Sequence, residues 1–333
     1  MLLISFGTRP EYIKIKPLIE ELQNKTEHVL LFTGQHEDLL AHVSDSTVRR
    51  LQIEDGTNRL DSIVSSIMNS DEVFEGITSV LVQGDTSSAF AIALAAFHRK
   101  LKVIHLEAGL RTYDLQNPYP EEFNRQAVSR LADINLCPTE ESSENLAKER
   151  ISGKVYVVGN TVLDNIVEIE PEYSNKIVIT MHRRENHPLI KNWFETMDSL
   201  AAQNPDLEFI LPIHPNPNVY KHKDIFEHVR VVDPMGYEDF VKLLSQSRFV
   251  ITDSGGLQEE SSFFRKKCIV CRKTTERVEG MGVFSTLCPT PDELPAAFSW
   301  AHEQPVPDPD EPCPYGDGHT SEKIAEIFAI EGI

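Results

Sequence analysis

"SVLVQGDTSSAFAIALAAFHRKLKVIHLEAG", residues 79–109, reads as one strand–helix–strand unit. A short apolar, β-branched run closes at Gly84 and Asp85. A helical stretch follows, with Thr86 at its N-cap, and a second strand-like run ends at Gly109. The pattern repeats outward in both directions. "LLISFG", "HVLLFTG" and "DINLCPT" are further strand candidates in the first half, and "PEYIKIKPLIEELQ" is a helix with Pro10 near its start. The second half continues with the strands "KIVITMH", "EFILPIH", "RFVITDS" and "KCIVCR" and the helices "DFVKLLSQ" and "GGLQEESSFF". Alternation of this kind predicts an α/β fold of parallel sheets covered by helices on both faces.

A chain of 333 residues exceeds one ordinary core, so two domains are expected. The polar, proline-containing stretch "EIEPEYSNK", residues 168–176, reads as the linker. Residues 1–167 and 176–317 then form two doubly wound, Rossmann-like domains facing across a cleft, and residues 318–333 form a C-terminal helix packing back on the first domain. Ligands of such sheets sit beyond the carboxyl ends of the strands. "FGTRPE", "QGDTS", "HLEAGLRT", "MHRREN", "IHPNPN" and "TDSGGLQEE" each follow a strand candidate directly.

Charge narrows the class of partner. Lys and Arg number 32 against 52 Asp and Glu, a net of -20, which argues against nucleic acid and anionic membranes as partners. "MLLISFGTRP" has neither the basic start of a signal peptide nor the length of a membrane span. The five cysteines are odd in number and scattered, which suits a reducing compartment, so a cytoplasmic location is expected. Cys268 and Cys271 have CxxC spacing but lie in a strand-like run, and they read as buried strand residues rather than as a redox or zinc pair.

The clusters differ in what they promise. "QGDTS" could do no more than turn and cap, and Arg99 and Arg230 read as solvated surface. "HRRE" places three possible cations at a sheet edge of an acidic chain, and so reads as functional. Ser254, Gly255 and Gly256 open a helix after a strand, where exposed N–H groups and the helix dipole favour a phosphate. Glu260, one turn on, could accept ribose hydroxyls. Neither GxxxxGK[ST] nor GxGxxG occurs, "DSGG" is not a GxSxG elbow, and no HExxH spacing suggests a metal.

"FGTRPEYIKIKPLI", "GDTSSA", "HLEAGLRTYDLQNPYPEEFNRQ", "CPTEESSENL", "VVGNTVLDNI", "MHRREN", "HPNPNV", "TDSGGLQEE" and "RKTTERVEG" resemble, in order and spacing, the non-hydrolysing UDP-N-acetylglucosamine 2-epimerases over about residues 1–285. The resemblance implies the two-domain GT-B architecture. It also implies interconversion of UDP-GlcNAc and UDP-ManNAc, by elimination of UDP to a 2-acetamidoglucal and its re-addition, without nicotinamide or metal. Inverting C2 moves a proton off one face of the ring and onto the other, so carboxylates are wanted on both sides.

On this resemblance Asp85, Glu107, Glu121 and His182 occupy catalytic positions. Asp85 and Glu121 would be the acid and base, and Glu107 and His182 would assist the UDP oxygen. Pro118 and Pro120 would stiffen the loop carrying Glu121. Arg9, Arg183 and His214, then Arg272 and Arg277, could gather around the diphosphate, and Arg111 joins the substrate-binding set with Ser254, Gly255, Gly256 and Glu260. Lys14 reads as a helix-surface residue.

Two departures from the family stand out. "FFRKKCIVC" replaces its usual Gly-Lys-Pro, and residues 41–78, after Glu37 and Asp38, look shorter than the segment that contributes to the activator site in regulated members. A homodimer is expected. A UDP-2,3-diacetamido-glucuronic acid type substrate, a UDP-sugar glycosyltransferase, a hydrolysing relative and a non-catalytic nucleotide-sugar sensor remain as other readings.

Overall fold

The computed structural model describes residues 1–34, 48–53, 56–308 and 310–333; Glu37 and Asp38 lie outside them. Two compact units emerge, Met1–Asn165 with Gly316–Ile333, and Ile166–Tyr315.

The first unit runs β1 (Leu2–Phe6), α1 (Arg9–Leu22), β2 (His28–Phe32), β3 (Arg49–Arg50), α2 (Arg59–Met68), β4 (Ser79–Gln83), α3 (Ser87–His98), β5 (Lys102–Leu106), α4 (Glu121–Leu131), β6 (Ile134–Cys137), α5 (Glu140–Glu149) and β7 (Lys154–Val157). The second unit runs β8 (Lys176–Thr180), α6 (Ile190–Gln203), β9 (Glu208–Pro212), α7 (Pro217–Tyr220), β10 (Arg230–Val232), α8 (Tyr237–Ser245), β11 (Phe249–Thr252), α9 (Leu257–Phe263), β12 (Lys267–Val270), β13 (Ser285–Leu287) and α10 (Leu294–Glu303). α11 (Thr320–Glu331) returns to the first unit.

Among the described residues all the strands pair in parallel. The first sheet has seven in the order β3-β2-β1-β4-β5-β6-β7, and the second six in the order β10-β9-β8-β11-β12-β13. Side chains alternate across each strand, so one sheet feeds two cores. In the first unit Leu3, Leu31, Val80, Val82 and Val103 pack against the alanine-rich α3. Leu2, Ile4, Phe6, Leu81 and Ile104 pack on the other face, with Ile15 and Leu18 of α1 and Ile324 and Phe328 of α11. In the second unit Ile177, Ile179, Phe209, Leu211, Phe249 and Ile251 meet Trp193, Phe194 and Met197 of α6.

Polar contacts fix α11 at both ends. The Asp164 carboxylate accepts the backbone N–H groups of Thr320 at 3.0 Å and Ser321 at 2.7 Å, satisfying donors that the first turn leaves open. At the other end Glu331 accepts from Tyr156 Oη at 2.6 Å and pairs with Lys154 at 2.7 Å.

Side chains cap helix starts in the first unit, including the three that follow β1, β4 and β6. Thr8 and Glu11 form a capping box on α1, Thr86 Oγ1 accepts from Ala89 N at 3.1 Å, and Thr139 Oγ1 accepts from Ser142 N at 3.1 Å. These caps fix the backbone where β1, β4 and β6 end. Cys268 and Cys271 are buried at β12 and just beyond it, and burial raises both thiols above their usual pKa. Among the described residues no helix is long and apolar enough to cross a membrane.

Candidate active site

The four carboxylates between His105 and Gln126 divide by task. Asp114 folds the loop on itself, accepting Gln116 N at 2.9 Å and Asn117 Nδ2 at 2.8 Å. Glu122 is fully buried and accepts the backbone N–H groups of Thr112 and Tyr113, each at 3.0 Å. Both therefore build the loop.

The other two, Glu107 and Glu121, stand just after β5 and at the start of α4. Glu107 follows β5 in the left-handed conformation, φ 67°, and Gly109 follows at φ 89°. A Cβ at Gly109 would come within 2.2 Å of the Ser142 carbonyl oxygen, so only glycine fits there. The turn aims the Glu107 carboxylate at three donors: Lys14 Nζ at 2.6 Å, Asn160 Nδ2 at 3.3 Å and Gln83 Nε2.

Lys14 corrects the sequence reading. Its side chain is 14% exposed and forms an ion pair with Glu107, so it is an inward residue and not a helix-surface one. Its place in the polar half of an amphipathic helix hid this, because the sheet edge supplies a carboxylate there that helical periodicity does not reveal.

Asp85 follows Gly84, which has φ 71°. Its Oδ2 pairs with Arg125 Nη2, and its backbone oxygen accepts from Asn124 Nδ2 at 2.9 Å. Glu121 is the first residue of α4, so Asn124 and Arg125 stand three and four positions on, on the same face of that helix. One helix face thus carries Glu121 together with both groups that hold Asp85.

Two buried groups hold the Asp85 turn. Glu11 Oε2 accepts Gly7 N, Thr8 N and Thr8 Oγ1 at 2.7–2.9 Å, while Oε1 accepts Thr86 Oγ1 at 2.7 Å, tying the β1 loop to the β4 loop. Burial raises the Glu11 pKa, opposed by these hydrogen bonds. His105, fully buried, donates from Nε2 to Gly84 O at 2.8 Å.

Burial pushes the His105 pKa from 6.5 down to about 4, so the folded protein holds this ring neutral where the unfolded chain would protonate it. A lowered folded-state pKa contributes stability that is present above pH 6.5 and is lost as pH falls towards 4. Between pH 7 and pH 5 this one group is expected to remove about 2 kcal/mol of unfolding free energy. Urea titrations at the two pH values check it. His105→Asn should show a smaller pH dependence, and an equal one would remove His105 as the source.

Arg111 is placed elsewhere. It is buried, bonded through Nε and Nη2 to both oxygens of Glu149 at 2.7 and 3.0 Å, and also to Ser129 Oγ and Leu110 O. This bidentate clamp fastens the loop to α5. Arg9 is exposed at the first position of α1.

In the second unit the organiser is Asp253, fully buried just after β11. Its carboxylate accepts His182 N at 3.0 Å, Arg183 N at 2.9 Å and Asn186 Nδ2 at 3.1 Å. The His182 ring stands with Nδ1 3.5 Å from Asp253 Oδ1 and stacks on His214, centroids 5.1 Å apart. Burial lowers both histidine pKa values; Asp253 opposes the shift in each, and the neighbouring imidazole adds to it at His214. His214 Nδ1 accepts from Asn216 N at 3.1 Å, which leaves Nε2 as the donor of the neutral ring. Asp253 lies within "TDSGGLQEE", where the local sequence gives it no task. A carboxylate at a strand end, opposite the backbone of a neighbouring strand-end loop, was the available signal.

Gly255 and Gly256 have different reasons to be glycine. A Cβ at Gly255 would meet Arg277 Nη1 at 2.9 Å and Glu276 Oε1 at 3.0 Å, whereas at Gly256 nothing lies within 4 Å. Only Gly256 therefore opens onto free space beside the half-buried Ser254. Arg277 bonds to Glu259 and Glu276, both at 2.5 Å, and Arg272 to Glu185 at 3.1 Å and Glu276 at 3.0 Å, so these arginines form a network of ion pairs under the α9 turn. Glu260 Oε1 accepts from Tyr237 Oη at 2.9 Å, and burial, with Glu260 beside it, raises the Tyr237 pKa.

Comparison with known proteins bears on this arrangement. A family model described as UDP-N-acetylglucosamine 2-epimerase matches residues 20–329. The UDP-N-acetylglucosamine 2-epimerase of Campylobacter jejuni is 34% identical, covering 98% of this chain and 97% of its own. That of Neisseria meningitidis serogroup A is 40% identical over 83% of each. A crystal structure of the Neisseria meningitidis epimerase bound to UDP-GlcNAc superposes with a TM-score of 0.89 at 35% identity, covering 99% of both chains. Acinetobacter baumannii MurG, at 12% identity and a TM-score of 0.61 over 99% of this chain and 98% of its own, shares the fold.

Proposed function

Because this chain belongs to the UDP-N-acetylglucosamine 2-epimerase family, we propose that it interconverts UDP-N-acetylglucosamine and UDP-N-acetylmannosamine by inverting carbon two of the sugar. The observation that carries the reading is the α4 face, where Glu121 shares a surface with the Asn124 and Arg125 groups that hold Asp85. Two carboxylates served by one helix face suit a reaction that takes a proton from one side of a ring and returns it to the other.

The chemistry balances without any change of oxidation state. A base removes the C2 proton, and the C–H electron pair becomes a C1–C2 double bond. The C1–O bond breaks with its pair leaving on the UDP oxygen. Re-addition of that oxygen to C1, with a proton delivered to the other face of C2, gives the epimer. We assign the two proton transfers to Asp85 and Glu121. Glu107, whose carboxylate is bound by Lys14, Gln83 and Asn160, is assigned an electrostatic part in the departure of UDP. In the second unit His182, Arg183 and His214, with the open Gly256 turn, are the groups we assign to the nucleotide diphosphate.

Incubation with UDP-GlcNAc alone in D2O tests this. Deuterium is expected at C2 of both UDP-sugars, with UDP-ManNAc accumulating, as read by proton NMR. Release of free N-acetylmannosamine with UDP, or no C2 exchange in the absence of an acceptor, would overturn the proposal.

A further inference from the structure

A cavity of about 570 Å³ opens at the other end of the second sheet, lined by Tyr173, Ser174, Asn175, Arg248, Arg265 and Lys267 among others. Asn175 precedes β8, Arg248 precedes β11 and Lys267 opens β12, so the cavity lies at the amino ends of strands whose carboxyl ends carry His182, Asp253 and Arg272. Nothing assigned to the epimerase reaction reaches it.

Its electrostatics run against the composition of the chain. In a protein of net charge -20, three cations line one cavity, and their hydrogen bonds go to neutral carbonyls: Arg265 to Asp308 O at 2.5 Å and Glu311 O at 2.7 Å, Arg248 to His302 O at 3.3 Å, and Lys267 to Trp300 O at 3.5 Å. Among the described residues none of the three forms an ion pair with a carboxylate; Asp206 is the one acidic residue in the lining. Lys267 is only 5% exposed, and burial lowers its pKa, so the ammonium sits where water does not fully compensate it. Behind the wall, Lys266 is fully buried with Nζ 3.4 Å from the centre of the Tyr173 ring, adding a fourth cation.

We propose that this cavity binds a small multivalent phosphate-type oxyanion, held by Arg248, Arg265 and Lys267. Two arginine forks and a lysine suit such a group, and the volume admits a ligand larger than orthophosphate.

Calorimetric titration of the full chain with inorganic pyrophosphate reads the site. One saturable binding event is expected that Arg183→Gln retains and that Arg248→Gln weakens by about tenfold or more, since a charge-assisted hydrogen bond is lost. Arg248 is exposed, so its replacement should leave the fold and the epimerase rate unchanged. Lys267→Gln, checked by its thermal transition, is the second variant. No saturable binding, wild-type affinity in both variants, or a site lost in Arg183→Gln and kept in Arg248→Gln would overturn the proposal.

Discussion

Asp85→Asn is expected to lower kcat by about 10²- to 10⁴-fold while KM for the UDP-sugar changes little. The substitution keeps the shape of the side chain and removes its capacity to exchange a proton. The surroundings should survive it. Gly84 still supplies the turn at φ 71°, His105 still donates to the Gly84 carbonyl, and Asn124 still donates to the backbone oxygen of residue 85.

Loss of charge opposite Arg125 is the competing explanation, and it is separable. That guanidinium is buried with Glu122 at 3.4 Å, so weakening its pair with Asp85 should cost stability as well as rate. A urea midpoint near wild type with a large fall in kcat assigns the loss to chemistry. Glu121→Gln should behave alike, with C2 exchange in D2O falling in step with turnover. Turnover within about threefold of wild type for either variant would remove that carboxylate from the reaction.

What the sequence disclosed follows from burial. The nine strand candidates correspond to β1, β2, β4, β5, β6, β8, β9, β11 and β12, the interior strands of both sheets. Covered on both faces, interior strands of parallel sheets read as unbroken apolar runs. The four strands without a sequence signal, β3, β7, β10 and β13, are the edges. β3 is the pair Arg49–Arg50, and β7 is "KVYV" with its first and last residues exposed. Only one neighbour constrains each of them, so composition and period leave them undetermined.

The site divides in the same way. Ser254, beside Gly255 at a strand end, stood out through local turn chemistry, and Asp85, Glu107 and His182 stood out through the resemblance of their motifs to the family. Glu11, Lys14, Arg125 and Asp253 did not, because their roles depend on partners far along the chain. Glu11 reaches Thr86 across 75 positions, Lys14 reaches Glu107 across 93, and the Asp253 carboxylate accepts from His182 across 71. No window of local sequence contains both ends of such a contact. Arg111 stands in a motif dense with chemistry, and its guanidinium pairs with Glu149 at the end of α5, 38 positions along the chain.

Lys14→Met should therefore be among the most damaging single changes outside the apolar cores, with an expected loss of about 3 kcal/mol in unfolding free energy together with a fall in turnover. Were Lys14 an ordinary helix-surface residue, the change would stay within about 0.5 kcal/mol. Here the side chains of Lys14 and Glu107 are 14% and 7% exposed, and the ammonium lies 2.6 Å from both carboxylate oxygens. Removing one partner of a buried pair leaves the other charge in a medium that solvates it poorly, which costs about 3–5 kcal/mol when no other donor is present. Gln83 and Asn160 still donate to Glu107, which places the expectation at the lower end. The double variant Lys14→Met, Glu107→Gln distinguishes this cause from lost packing. With both charges gone, the loss should fall short of the sum of the single losses by about 1.5 kcal/mol or more, the signature of direct coupling. Additive losses in urea unfolding would mean that the pair does not hold in solution, and that Glu107 owes its position to the left-handed turn after β5 and to Gln83 and Asn160.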